Sequence, residues 1–193
     1  MVGKVAERRE ARTAEIVDVA WKLAAVDGIG GFSLHGLARE VGIRQPSLYE
    51  YFDSKLALYD AMFADGNRKL VARVDALRLP EDPRRALKMM MRAFVEFAIE
   101  DVARQELLFA RPIPGFAPSA EAYAPAVEVL ERTTALLRAA GMRAQGDIDC
   151  VIAMVGGLVS SQTSNDPGGN RWARHLDRLI DLYLDHLPNR RRR

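Results

Sequence analysis

The stretch "GIRQPSLYEYFDSK", residues 42–55, decides how this chain is read. It packs a glycine, a proline, two tyrosines and a lysine into about four helical turns, and it could be either a surface that reads DNA or a tight corner between core helices. Just before it, Ser33 can cap a short helix bearing Leu34, Leu37, Ala38 and Val41, and Gly42 ends that helix about two turns later. The segment 45–52 has room only for another short helix. Two short helices joined by a glycine-containing turn are the pattern of a helix-turn-helix, whose second helix enters the DNA major groove. At about 100° per residue, Leu48 and Phe52 turn to the core with Ile43 and Val41 beneath them. Pro46, Ser47, Glu50 and Tyr51 fall on the opposite half, with Gln45 at the exposed tip.

Outward from this stretch, helical spacing dominates and no long strand-like alternation occurs, which predicts an all-α fold. Ile16, Val17, Ala20, Leu23 and Ala24 form one apolar face of a first helix over about 10–27 that stops at Asp27-Gly28. Asp53 or Ser54 caps a long fourth helix with Leu56, Tyr59, Met62 and Phe63 inward. Asp82 caps the next helix, with Pro83 in its first position, and that helix runs to about 102 before a short one through "QELLFA". "RPIPGFAPSAEAYAP", residues 111–125, carries four prolines and reads as turns, with Pro125 opening the following helix. Two more helices, about 147–165 and 168–187, are split by "NDPGG". The expected division is a three-helix DNA-binding domain over 1–60 with its motif at 33–52, a larger helical domain over 61–187 and a basic tail over 188–193.

Composition neither supports nor opposes nucleic acid. The net charge is +2, but residues 1–55 hold eight basic and eight acidic side chains, and Arg190–Arg193 supply +4 by themselves. The longest apolar run, "CVIAMVGGLV" at 150–159, is far short of the roughly 20 residues a membrane-crossing helix needs, and no signal-peptide pattern precedes the first helix. A cytoplasmic protein with no membrane partner is expected. Cys150, the single cysteine, excludes an intramolecular disulfide and reads as a small buried hydrophobe. His35, His175 and His186 show no metal-binding spacing, and no nucleophile-elbow, phosphate-loop or dinucleotide pattern occurs, so neither a catalytic site, a metal nor a cofactor is expected.

The run "TAEIVDVAWKLAAVDGIGGFSLHGLAREVGIRQPSLYEYFDSKLALYDAM" resembles the N-terminal domain of the TetR family of bacterial regulators, on Ala20, Gly28, Leu37-Ala38, Gly42, Leu48-Tyr49, Phe52 and Ser54-Lys55. The resemblance implies a transcriptional regulator that binds a pseudo-palindromic double-stranded operator as a dimer. Gln45 can pair with adenine, Ser47 can donate or accept, and Pro46 offers an apolar face to a thymine methyl. Tyr49, Tyr51, Lys55 and Ser33 resemble the family's phosphate contacts, which fix register without reading sequence. Arg44 stands where the family often has serine, trading a cap for a cation that can reach a guanine or a phosphate. Glu50 on the DNA side and Gly36 inside the second helix also depart from expectation.

In the penultimate helix Ala153, Gly156, Gly157, Ser160, Ser161 and Ser164 leave one side nearly bare, and the last presents Leu176, Leu179, Ile180, Tyr183, Leu184 and Leu187 at helical spacing. The family pairs through its last two helices, which makes these the expected homodimer face, with packing inside one chain as the other use of the same residues. The family's C-terminal domain also takes a small, often apolar inducer or co-repressor. Met89, Met90, Phe94, Phe97, Leu108, Phe109, Phe116, Tyr123, Met154 and Trp172 are the bulky candidates for its pocket, with Arg111, Gln162 and Asn165 as polar anchors. The rival readings are a DNA-binding regulator that senses nothing or activates, and an all-α enzyme or carrier that keeps the motif as a corner.

Overall fold

Ser33 and Gly42 act at the two ends of the second helix as the sequence predicts. In this computed structural model, which describes residues 2–110 and 112–187, α1 spans Val2–Asp27, α2 Leu34–Val41 and α3 Gln45–Leu48. The Ser33 Oγ accepts the Gly36 N–H at 3.0 Å, and Gly42 takes the left-handed conformation, φ 75°, that lets the Gly42 and Ile43 N–H groups close back on Arg39 and Ala38. α3 is shorter than predicted: after Leu48 the chain turns, with the Tyr51 and Phe52 N–H groups both bonding the Leu48 carbonyl. α1 begins well before residue 10, and from it Arg9 bonds the Glu50 carbonyl and Arg12 the Val41 carbonyl, contacts that apolar periodicity does not register.

α4 spans Lys55–Asp75 and is capped by Ser54, whose Oγ accepts the Ala57 N–H at 3.1 Å. Leu58, Tyr59, Met62 and Phe63 are buried, whereas Leu56, expected inward, is exposed because the neighbouring Leu58 takes the core side. α5 spans Pro83–Glu100, and the Asp82 carboxylate accepts the Arg85 N–H at 2.8 Å as an N-cap should. α6 (Val102–Gln105) runs into a π-helical turn over Glu106–Ala110. α7 covers Ala120–Ala139 and starts five residues before Pro125, since Ser119 supplies the cap by accepting the Ala122 N–H. α8 spans Gln145–Asn165 and α9 Leu176–Asp185, the latter entered through a 3-10 turn at Ala173–His175. All the regular elements among the described residues are helical, as predicted for an all-α chain.

Two compact units result, and they divide the chain elsewhere than at residue 60. One holds the chain through Lys69 together with Asp101–Pro125; the other holds Leu70–Glu100 with the chain from Ala126 onward. In the first, Ile16, Ala20, Leu37, Leu48, Phe52 and Tyr59 are buried. Trp21 Nε1 donates to Asp65 at 2.8 Å, and the Tyr59 hydroxyl donates to the Ile29 carbonyl at 2.8 Å. The π-helical turn joins this unit at Gly66, where an added Cβ would lie 3.1 Å from Leu108. The segment after it is tied down by the Asp60 carboxylate, which accepts both the Ser119 N–H and hydroxyl at 2.7 Å, and by Phe116, whose ring lies 6.0 Å from Tyr59. The second unit has its own core, in which Leu87, Met91 and Val95 of α5 meet Val151, Val155 and Leu158 of α8 and Leu176 and Ile180 of α9.

Candidate nucleic-acid interface

α3 is anchored on one side and open on the other. Leu48 and Phe52 are buried, while Arg44, Pro46, Tyr49 and Glu50 are exposed and Gln45, Ser47 and Tyr51 are half-buried. Gln45 is therefore partly covered rather than standing at an exposed tip. Arg44 occupies the N-cap of α3 without a capping side-chain bond, and Pro46 sits in the first turn, where its missing N–H has no helical partner to lose. The Ser33 oxygen is occupied as an acceptor, which leaves its proton to donate. Gly36 follows from that cap, because a Cβ there would come within 3.2 Å of the Ser33 Oγ.

Lys55 is placed differently from a free phosphate clamp. Its Nζ donates to the Phe32 carbonyl at 2.6 Å and the Gly30 carbonyl at 3.2 Å, and it lies over the Phe32 and Tyr59 rings at 4.7 and 5.4 Å. It braces the turn that leads into α2. Two arginines of α1 also reach this region. Arg9 Nη2 donates to the Glu50 carbonyl at 2.8 Å with its guanidinium 5.9 Å from the Tyr51 ring centroid, and Arg12 Nη2 donates to the Val41 carbonyl at 3.1 Å. Their spacing of three, one face of a helix, was the available signal.

The pocket residues are divided between the two units. Phe109, Phe116 and Tyr123 belong to the first unit, where the Phe63 ring stacks on Tyr123 at 5.9 Å and meets Phe116 edge-on at 6.3 Å. Met90, Phe94, Phe97, Met154, Gln162 and Trp172 belong to the second, and Arg111 lies outside the described residues, as does the tail 188–193. Met90 and Phe97 are core, while Phe109, Tyr123 and Trp172 are exposed. Gln162 is a structural brace and not an open anchor: only 1% exposed, its Oε1 accepts the Trp172 and Ala173 N–H groups at 2.9 and 3.1 Å and its Nε2 donates to the carbonyl and carboxylate of Asp166. That uses its whole hydrogen-bonding capacity.

The dimer residues separate into two sets. Leu176 and Ile180, 2% and 0% exposed, are core within one chain, packed with α5 and α8, so they are removed from any outer face. Ala153, Gly156, Gly157, Ser160 and Ser164 are exposed, and a Cβ added at Gly156 or Gly157 would meet nothing within 4 Å. Cys150, expected buried, is exposed on the same helix. Between α8 and α9 lies an open groove of ~610 Å³ lined by Met154, Leu179, Leu182, Tyr183 and Leu187 with Asp147, His175, Arg178 and His186. The Tyr183 hydroxyl donates to Asp147 at 3.0 Å, and desolvation beside that carboxylate pushes its pKa up to about 12. Among the described residues no helix is long and apolar enough to cross a membrane.

A family model described as bacterial regulatory proteins of the tetR family matches residues 16–62. The HTH-type transcriptional regulator Rv1816 of Mycobacterium tuberculosis is 30% identical over 118 residues, covering 60% of this chain and 50% of that protein. The chain thus spans about half the length of the curated relatives it matches. Among solved structures, BioQ with its double-stranded DNA operator superimposes with a TM-score of 0.65 at 22% identity, covering 90% of this chain and 98% of that one. The transcriptional regulator FadR of Bacillus subtilis in complex with stearoyl-CoA gives 0.68 at 12% identity, over 91% and 99% of the two chains. Residues 16–62 thus match the tetR family of bacterial regulatory proteins, and the chain shares its fold over nine-tenths of its length with BioQ and FadR.

Proposed function

We propose that the protein binds a pseudo-palindromic DNA operator as a homodimer, represses transcription there, and is released by a small apolar molecule held in its C-terminal helices. The observation that carries the DNA reading is the two-sided α3: Leu48 and Phe52 fix it to the core while Arg44, Gln45, Pro46, Ser47 and Tyr49 remain on or near the surface. Gln45 and Ser47 read base edges, Pro46 meets a thymine methyl, and Arg44 reaches a guanine or a phosphate. Ser33, Tyr49 and Tyr51 hold the phosphates. Lys55, bound to two carbonyls, serves DNA chiefly by holding the turn before α2.

Pairing through α8 and α9 is supported by the exposed small-residue side of α8 and by the groove beside it, where Leu182 is 52% exposed. Ala153, Gly156, Gly157, Ser160, Ser164, Leu179 and Tyr183 are the contact residues in this reading. An apolar effector is supported by FadR, the protein of similar fold described with stearoyl-CoA. Whatever its identity, it can act only through a difference in affinity between the DNA-binding and released conformations.

The test is a binding titration on a duplex that the protein itself selects from a randomised library, repeated across a salt series. A steep fall in affinity with salt is expected, and a flat response would remove the phosphate contacts from the account. Gln45→Ala should relax preference at one or two base pairs, whereas Tyr51→Ala should weaken all sequences alike. Adding acyl-CoA species of graded chain length to the same titration tests release.

A further inference from the structure

α3 has four residues, too few for a helix to hold itself in water. Its core side is fixed by Leu48 and Phe52, but these two side chains leave rotation about their own line unconstrained. Arg9 of α1 supplies that constraint, and Arg12 fixes the end of α2 beside it. Arg9 donates to the Glu50 carbonyl just beyond α3, and Arg12 donates to the Val41 carbonyl that ends α2. The last carbonyls of a helix have no internal donor and carry the negative end of its dipole, so Arg12 at Val41 is favourably placed. Because Arg9 and Arg12 lie three apart on α1, one helix face holds the C-terminal end of α2 and the turn that follows α3. Each grip is itself oriented: the Arg9 guanidinium lies against the Tyr51 ring, and Arg12 Nη1 is held by the Glu15 carboxylate at 2.6 Å.

We infer that Arg9 and Arg12 are positioning residues for DNA recognition, setting the angle between α2 and α3 and the orientation of Tyr51, without themselves holding the phosphate backbone. Both lie N-terminal to the segment that carries the family's pattern. The inference rests on the proposed DNA binding, and its test separates the two.

The full-length Arg9→Met and Arg12→Met proteins are titrated with the selected duplex and with a scrambled one, over a salt series. Loss of a charge-assisted hydrogen bond from a positioning contact should lower affinity for the selected duplex by about tenfold. Affinity for the scrambled duplex should change by less than about twofold, with the salt slope unchanged. Arg9→Lys, which keeps a cationic donor but loses the planar guanidinium beside Tyr51, should recover part of the preference. An equal loss on both duplexes, with a slope reduced by about one, would instead make the residue a phosphate contact and overturn the inference. So would unchanged preference in both variants. Amide hydrogen exchange of the free proteins gives a readout independent of DNA. Arg9→Met should speed exchange over residues 49–52, and Arg12→Met over 41–43, at an unchanged melting temperature. Unaltered exchange there sinks the positioning role even if the wild-type protein selects no sequence, which by itself would count against DNA binding alone.

Discussion

Gln162 shows how far a side chain's role depends on chain folded back to it. In sequence it stands in the polar run "SSQTSN", residues 160–165, that ends an otherwise largely apolar helix, which makes it a natural anchor for a ligand. In the structure its partners are Asp166, Trp172 and Ala173, and through them it joins the end of α8 to the start of α9. Gln162→Leu should therefore destabilise the protein by about 2–3 kcal/mol in denaturant titration, because two backbone N–H groups lose their acceptor. Gly169 is just as tightly specified, since a Cβ there would fall 2.2 Å from the Asp166 carboxylate. Gly42 differs in kind: nothing crowds it, but φ 75° makes Gly42→Ala cost about 1 kcal/mol through backbone strain alone. A melting temperature unmoved by Gly42→Ala would mean the α2–α3 turn can adopt another geometry.

α5 and α9 are joined by a ladder of charges as well as by apolar packing. Arg84 bonds Asp181 and Asp185, each at 2.7 Å, Lys88 bonds Asp181 at 2.6 Å, and Arg92 bonds Asp177 at 2.5 Å. The Lys88 bond, followed by Arg84, holds the Asp181 carboxyl below its ordinary range, and Arg84 does the same for Asp185. In the connection between α8 and α9 the Arg171 N–H lowers Asp166. Each contribution is complete above the unfolded carboxylate pKa of about 4 and is lost as pH falls through the lower folded values. Amide protection in α9 should stay level from neutral pH to about 5 and drop only below about 4. A decline beginning near pH 6 would contradict this. The caps at Ser33, Ser54 and Asp82 were legible in the sequence because a cap is local, bonding three residues ahead. The contacts of Arg9 and Arg12 with distant carbonyls and of Ser119 with Asp60 were not, since they join residues far apart in the chain.

The all-α class and the motif could be read from one chain because helix periodicity and a glycine turn are written in neighbouring residues. The boundary of the compact units could not, because it depends on Leu108, Phe116 and Ser119 returning to α4. Which residues of α9 the chain itself covers could not be read for a similar reason: a leucine stripe on a helix does not say which of its members will be buried, and Leu176 and Ile180 were taken by the core of α5 and α8. What stays outside is the small-residue side of α8, so Gly157→Leu should not harm folding yet should block close approach of a second copy. On the proposed pairing, sedimentation should show dimers for the wild type and monomers for the variant; a dimeric variant would move the pairing surface elsewhere. Cys150 gives that experiment a built-in reporter. As the only cysteine in 193 residues, and one exposed on α8, its thiol can be titrated without engineering. A reagent such as a maleimide should react with it at a rate that falls as protein concentration rises, so the assembly constant can be read from chemistry at a single atom.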